Sequence, residues 1–198
     1  MLDATRFFDI LIACLLLVLL SPLFLIIGLV IKISSKGPVI FQQRRVGKND
    51  IDFTLYKFRT MYVDTGHKSS ITIGNKDSRV TRAGYFLRKY KMDELPQLYN
   101  VLKNDMSIVG PRPELRKYVT LYTAEQKEIL LLKPGITDYA SIHFRHESEL
   151  LATQKDPEAF YIKEILPLKI QLNKQYAFKR DLRVYFVIIF NTLLSVFK

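Results

Sequence analysis

The chain has 198 residues, enough for one domain with a sizeable core and too few for two independent ones. With 48% hydrophobic and 12% aromatic residues it is no disordered polymer, and its one cysteine, Cys14, excludes a disulfide scaffold or a thiolate zinc cluster. Lysine and arginine total 30 against 19 aspartate and glutamate, a net charge of +11, so an anionic partner is expected: nucleic acid, lipid headgroups or a phosphorylated substrate.

Charge is unevenly placed along the chain. Between Phe7 and Ile31 the only charged residue is Asp9, whereas Lys32, Lys36, Arg44, Arg45 and Lys48 follow directly. A secretory signal peptide would begin basic and end at small residues, but the start, MLDATR, is neutral and no A-x-A follows. Leu11-Ile12-Ala13-Cys14 resembles a lipoprotein cleavage box, yet the apolar run continues past it. As one helix, residues 7–31 would reach about 38 Å, enough to cross a hydrocarbon layer of about 30 Å. Ser21-Pro22 interrupts it, because proline lacks an N–H and its ring clashes with the carbonyl four residues back. Two readings follow: a kinked spanning helix, or a helix-break-helix that enters one leaflet and returns to the same face, with Ser21 satisfying a freed carbonyl. The residues alone favour the span, since membrane helices tolerate proline. In both readings Arg6 and Lys32 are expected at headgroup level, and the basic cluster places the body on the cytoplasmic side.

Beyond a Gly37-Pro38 turn, VIFQQRRVG and DFTLYKFRTMYV alternate apolar and polar residues around Asn49-Asp50 and predict a β-hairpin. Residues 64–79 are polar and predict a long loop. Helices are then predicted over Arg82–Lys91 and Asp93–Lys103, the second with Leu95, Leu98, Tyr99 and Leu102 on one face. Pro111-Arg112-Pro113 is stiff, and Pro113 suits the first turn of a helix in ELRKYVTLY. Thr123 and Gln126 have capping-box spacing for another helix, which Lys133-Pro134-Gly135 ends. Residues 158–178 and 182–197 read as amphipathic to apolar helices, the last expected to pack on the body or lie at a membrane interface.

Asp93-Glu94 is an acidic pair in basic surroundings: between 76 and 91, Lys76, Arg79, Arg82, Arg88, Lys89 and Lys91 oppose only Asp77. The bland explanation is helix capping, since carboxylates are favoured at the positive end of a helix. The functional one is a phosphate site, in which a carboxylate attacks phosphorus and forms an acyl phosphate. That attack requires the phosphate charge to be neutralised, by a magnesium ion or by arginines such as Arg112, whose backbone the flanking prolines restrict. His143 and His146 have metal-like spacing but lack a third ligand and read as surface histidines. Leu130 to Leu132 read as core or membrane contact, and no Walker loop, GxGxxG or GxSxG occurs.

Together RFFDI, the Ser21-Pro22 break, GPVIFQQRRVG, YKFRTM, FLRKYKMDELPQLYNVLKNDMSIVGPRPE and KPGIT, in this order over residues 5–137, resemble the bacterial sugar transferase family. These are the small monotopic polyprenyl-phosphate phosphoglycosyl transferases. The resemblance implies a mostly helical α+β fold, with a re-entrant membrane helix over 1–33 and a catalytic domain over 34–198 on the cytoplasmic face of the bacterial inner membrane. It thereby reverses the preference for a span. It implies transfer of a phospho-sugar from a UDP-sugar to polyprenyl (undecaprenyl) phosphate with release of UMP, the first membrane step of glycoconjugate assembly. The route is ping-pong, with Asp93 as nucleophile, Glu94 assisting and Mg²⁺ held at Asp93 and Glu94. Arg88 and Arg112 map onto phosphate and nucleotide contacts, and Lys57, Arg59, Pro111, Pro113 and Arg145 complete the expected substrate-binding set. Partners are then the donor, the lipid acceptor and membrane lipids, with no nucleic acid. After Thr137 the chain departs from the family pattern, with Asp138 for a glycine and Phe144-Arg145 where Gly-Arg is expected, which leaves the sugar open. Longer members carry membrane helices upstream, and this sequence corresponds to the minimal transferase module. Two other classes remain to be separated from this one: an anchored basic module that binds nucleic acid or lipid by charge alone, and a hydrolase working through an aspartyl phosphate.

Overall fold

The apolar N-terminus forms two helices rather than one. In the computed structural model, which describes residues 4–63, 77–178 and 181–196, α1 (Ala4–Leu19) and α2 (Ser21–Ser34) meet at an angle of 62°. Pro22 lies in the first turn of α2, where its missing N–H is no loss, and Ser21 Oγ donates to Val18 O at 2.8 Å, satisfying the carbonyl that the break frees. No single helix among the described residues is long and apolar enough to cross a membrane; α1 and α2 reach that length and composition only as a bent pair. Their outer faces stay apolar and uncovered, with Leu25 76% and Ile33 77% exposed. Arg6, expected at headgroup level, is half-buried and donates to Val101 O at 2.8 Å, tying the start of α1 to the body.

The hairpin forms as its alternation requires. β1 (Ile40–Val46) and β2 (Asp52–Phe58) pair antiparallel from Ile40↔Phe58 to Val46↔Asp52, and Asn49 and Asp50 both adopt positive φ in the connection. The second strand ends at Phe58, so Arg59 and Thr60 leave the ladder and Met61 bridges to Val80. Of the loop expected at 64–79, residues 64–76 lie outside the described residues, and with them Lys76.

α3 (Arg82–Lys89) is capped by Thr81, whose side chain accepts from Gly84 N at 2.8 Å. It stops two residues short of the predicted end. Asp93 to Lys103 is not one helix: a single 3₁₀ turn covers Met92–Glu94, and α4 (Gln97–Leu102) starts afresh after Pro96. Asp93 caps nothing, because neither the turn nor α4 has a side-chain cap. The buried face of α4 is Leu98 and Val101, while Tyr99, expected inside, is exposed. The break at Pro96 rotates the helix away from the face that a continuous 3.6-residue period would give.

β3 (Ser107–Val109) and β4 (Gly135–Thr137) form a parallel two-stranded sheet that local patterning did not indicate. Gly110 and Gly135 pass with their backbones in contact, leaving no room for a Cβ. Between the strands, α5 (Arg116–Val119) begins three residues later than Pro113, which lies in irregular chain before the helix. α6 (Ala124–Lys127) carries the predicted capping box, with Thr123 and Gln126 exchanging side-chain and backbone hydrogen bonds. α7 (Tyr139–His143), α8 (Glu147–Ala152) and α9 (Pro157–Phe160) follow, then a π-helical turn at Tyr161–Ile165, α10 (Leu166–Phe178) and α11 (Leu182–Val196). α11 buries Tyr185 and Ile188 against α1 and β3 and exposes Phe190 and Leu193. The fold is therefore mostly helical α+β, with small sheets and a bent N-terminal pair.

Candidate active site

Four segments bring charged side chains to one place. Cross-strand partners share a face of the hairpin, so Arg45, opposite Phe53, lies on the same side as Leu55 and Lys57. Two residues beyond the end of α3, Lys91 has a left-handed φ of 56°, which reverses the chain and starts the turn that carries Asp93 and Glu94. The parallel pair fixes the loop Pro111–Pro113: Gly110 N donates to Thr137 O at 3.0 Å, Gly135 N to Pro111 O at 3.0 Å, and Arg112 N to the Asp138 carboxylate at 2.9 Å. Asp138 is buried and also accepts from Ser141 N and from Asn173 Nδ2, so it clasps the arginine loop.

At the centre Glu94 is gripped by cations. Arg112 Nη1 donates to its Oε2 at 3.0 Å and Nη2 donates to Oε1, a two-pronged fork, while Lys57 Nζ lies 3.2 Å from Oε1. Burial would raise the Glu94 carboxyl, but the Arg112 and Lys57 charges outweigh it and hold the group well below the usual carboxylate range. Burial lowers Lys57, with Glu94 opposing. The Glu94 charge raises Arg112 further above its already high value.

Asp93 is treated differently by its surroundings. It is 8% exposed, and among the described residues its carboxylate has no hydrogen-bond or ion-pair partner. Burial pushes its pKa up and the neighbouring Glu94 charge adds to this, while Lys57, Arg88 and Lys91 pull the other way. One carboxylate of the pair is thus paired with two cations, and the other is buried, raised in pKa and without such a partner among the described residues.

Both acids open onto a cavity of about 1290 Å³. Its wall includes the cationic Arg45, Lys57, Arg88, Arg112 and Arg145 and the prolines Pro111 and Pro113 on either side of Arg112, and it extends to apolar Ile12 and Leu16 of α1 and Ile189 and Leu193 of α11. Arg59 is not brought there. Its guanidinium donates to Ser35 O at 2.7 Å and to Lys36 O at 2.5 Å, closing the end of α2. His143 and His146 are exposed, His146 facing Glu149 at 3.4 Å. Arg45 was not singled out from sequence as a site residue, although its inward position in the alternation of β1 could have shown it. It donates to Pro113 O at 3.2 Å and lies 3.7 Å from Glu114, which in turn accepts from Tyr161 Oη at 2.5 Å.

No group of three or more histidine, cysteine, aspartate or glutamate side chains comes together among the described residues, so a closed metal cage is not built here. The donor set does suit a magnesium ion of the open kind, which takes one or two carboxylates and completes its shell with water and phosphate oxygens. Asp93 offers free oxygens, and Glu94 can contribute only by sharing with Arg112 and Lys57.

The bacterial sugar transferase family matches residues 2–198 of the chain. The chain is 44% identical over 140 residues to the UDP-N-acetylgalactosamine-undecaprenyl-phosphate N-acetylgalactosaminephosphotransferase of Aeromonas hydrophila, covering 69% of this chain and 33% of the relative. It is 45% identical over 141 residues to the UDP-glucose:undecaprenyl-phosphate glucose-1-phosphate transferase of Xanthomonas campestris pv. campestris, covering 69% and 29%. To the enzyme of the same name from Escherichia coli it is 36% identical over 190 residues, covering 92% and 38%. The chain thus spans about a third of the length of these relatives. With the motifs in order, the acid pair and arginine loop brought together and the match running from residue 2 to residue 198, this chain belongs to the bacterial sugar transferase family.

Proposed function

We propose that this protein transfers a sugar phosphate from a UDP-sugar to polyprenyl phosphate through a covalent intermediate on Asp93. The observation that carries this reading is the asymmetry of the acid pair, an unpaired, buried Asp93 beside a Glu94 held by Arg112 and Lys57. Relatives named as UDP-sugar:undecaprenyl-phosphate transferases support the donor and the acceptor. A carboxylate oxygen of Asp93 attacks the β-phosphorus of the donor, the bond to the bridging oxygen breaks, and UMP leaves with that oxygen. The phospho-sugar is then an acyl phosphate on Asp93. An oxygen of the polyprenyl phosphate attacks the same phosphorus, and the bond to Asp93 breaks, returning the carboxylate. Arg112, Arg88 and Lys57 bind the diphosphate charge that would otherwise repel the nucleophile. Magnesium, held at Asp93 and shared with Glu94, would supply further neutralisation of the phosphate oxygens.

The cavity's apolar end supports a lipid acceptor over water, since Ile12, Leu16, Ile189 and Leu193 offer nothing to a free hydrolytic water and much to a prenyl chain. In this reading residues 1–33 form a re-entrant helix pair and residues 34–198 the catalytic domain on the cytoplasmic face of the inner membrane. The 62° bend and the uncovered apolar faces of α1 and α2 support it. A basic module binding by charge alone would have no use for an unpaired buried carboxylate. The test is to incubate the protein with UDP-sugar and magnesium without acceptor, quench in acid and digest. A sugar-phosphate mass on the peptide containing Asp93, absent in Asp93→Asn, is expected. Release of UMP only when polyprenyl phosphate is present, with no adduct, would refute the covalent route, and rapid lipid-independent hydrolysis would favour a hydrolase.

A further inference from the structure

α1 carries one acid in an otherwise apolar face, and that acid is not left to water or lipid. Asp9 is 2% exposed and accepts three hydrogen bonds, from Ser107 Oγ at 2.7 Å, Ile108 N at 2.8 Å and Tyr185 Oη at 2.9 Å. An unpaired carboxylate in this setting would be prohibitively costly, so the three donors key α1 to one rotation, with Asp9 inward. Tyr185 keeps its proton to donate, because burial and the Asp9 charge both push its ionisation up.

Two of those donors belong to β3, and the geometry of β3 makes them matter. The strand has three residues and, among the described residues, a partner strand on one edge only. Ser107 N points to the β4 side, donating to Pro134 O, so Ile108 N, next along the strand, faces the opposite edge, where it donates to Asp9. Asp9 supplies the acceptor there in place of a third strand. One residue beyond the strand, Gly110 leads into Pro111-Arg112-Pro113. On the same helix Arg6 donates to Val101 O, at the end of α4, whose start adjoins the Asp93-Glu94 turn.

We infer that Asp9 is a positioning residue: by closing the open edge of β3 it sets where the Arg112 fork stands relative to Glu94 and the bound diphosphate. Asp9 does not line the cavity, so it acts only through what it holds. The inference rests on the phosphate role of Arg112 in the proposed function.

The test is a double-mutant cycle read by turnover of the purified full chain in detergent, with UDP-sugar and undecaprenyl phosphate. Asp9→Ala is expected to lower kcat on the order of 100-fold, the cost of a displacement of about 1 Å at a reacting centre. Asp9→Asn, which keeps an oxygen facing Ile108 N and Tyr185, is expected to restore most of that loss. In an Arg112→Ala background Asp9→Ala should cost no more than about twofold, because a side chain that is absent cannot be misplaced. A full, additive loss in that background overturns the inference and leaves the proposed function standing. Arg112→Ala turning over as fast as the wild type overturns the phosphate role of Arg112 and this inference with it. If Asp9→Ala does not fold, Tyr185→Phe and Ser107→Ala, each removing one donor, go through the same cycle. Non-additive losses support the inference and additive ones overturn it.

Discussion

Replacing Arg112 by alanine removes both prongs of the fork on Glu94 while leaving Lys57 in place. Deleting one partner of a buried ion pair costs about 3–5 kcal/mol, and a hydrogen bond to a charged group about 1.5–3 kcal/mol. Glu94 is 12% exposed, but the Arg112 side chain is 33% exposed and Lys57 still neutralises the acid. The lower end therefore applies, about 2–3 kcal/mol, which for a chain of this size lowers Tm by about 4–12 °C. Turnover should fall about 10²- to 10³-fold, as for removal of one preorganised charge-stabilising group. The pH dependence follows from the depressed Glu94 carboxyl. Its contribution to stability is present above the ordinary value of 4.5 and is lost as pH falls through the lowered folded-state value. Without Arg112 that value rises, so the variant should lose less stability below pH 4.5 than the wild type does. Denaturant unfolding from pH 3 to pH 8, with UMP release measured in parallel, checks each part. Unchanged unfolding midpoints and unchanged turnover would show that the fork on Glu94 contributes neither to the fold nor to phosphate binding.

Asp93→Asn is expected to abolish turnover and yet raise Tm at neutral pH, because the folded-state Asp93 pKa is raised and its ionisation there opposes folding; a lowered Tm with intact binding of UMP would contradict the burial argument. Thr81→Ala removes the cap that accepts from Gly84 N and should cost about 1 kcal/mol in denaturant unfolding, with Thr81→Ser close to wild type. Ala4→Cys in a Cys14→Ser background should react with a membrane-impermeant maleimide from the cytoplasmic side in inverted vesicles and stay unlabelled in intact spheroplasts. Labelling in spheroplasts would establish a span and refute the re-entrant pair.

Elements encoded by neighbours in the chain could be read directly from the residues. The hairpin followed from alternation around Asn49-Asp50, the box at Thr123 and Gln126 from spacing, and the break at Ser21-Pro22 from the chemistry of proline. The Asp93-Glu94 pair and Arg112 were likewise visible as an acid pair in basic surroundings and a stiffened arginine. Sequence periodicity misled at Pro96, where one expected helix became a turn and a short helix, and Tyr99 came to face solvent.

Composition and local pattern therefore determined that this protein has an oily, broken N-terminus, a basic body and a candidate acid–arginine site. What they could not decide is which polar groups meet. Arg59, in a motif with Lys57, closes α2, whereas Lys57 reaches Glu94; Arg6 and Asp9 turn inward to α4 and β3; and β3 finds β4 across an intervening stretch of chain. Each of these contacts joins residues distant in sequence. Which partner each side chain finds depends on how the helices and strands pack, and burial makes that partner matter, because a polar group cut off from water must find a complement where the fold puts it.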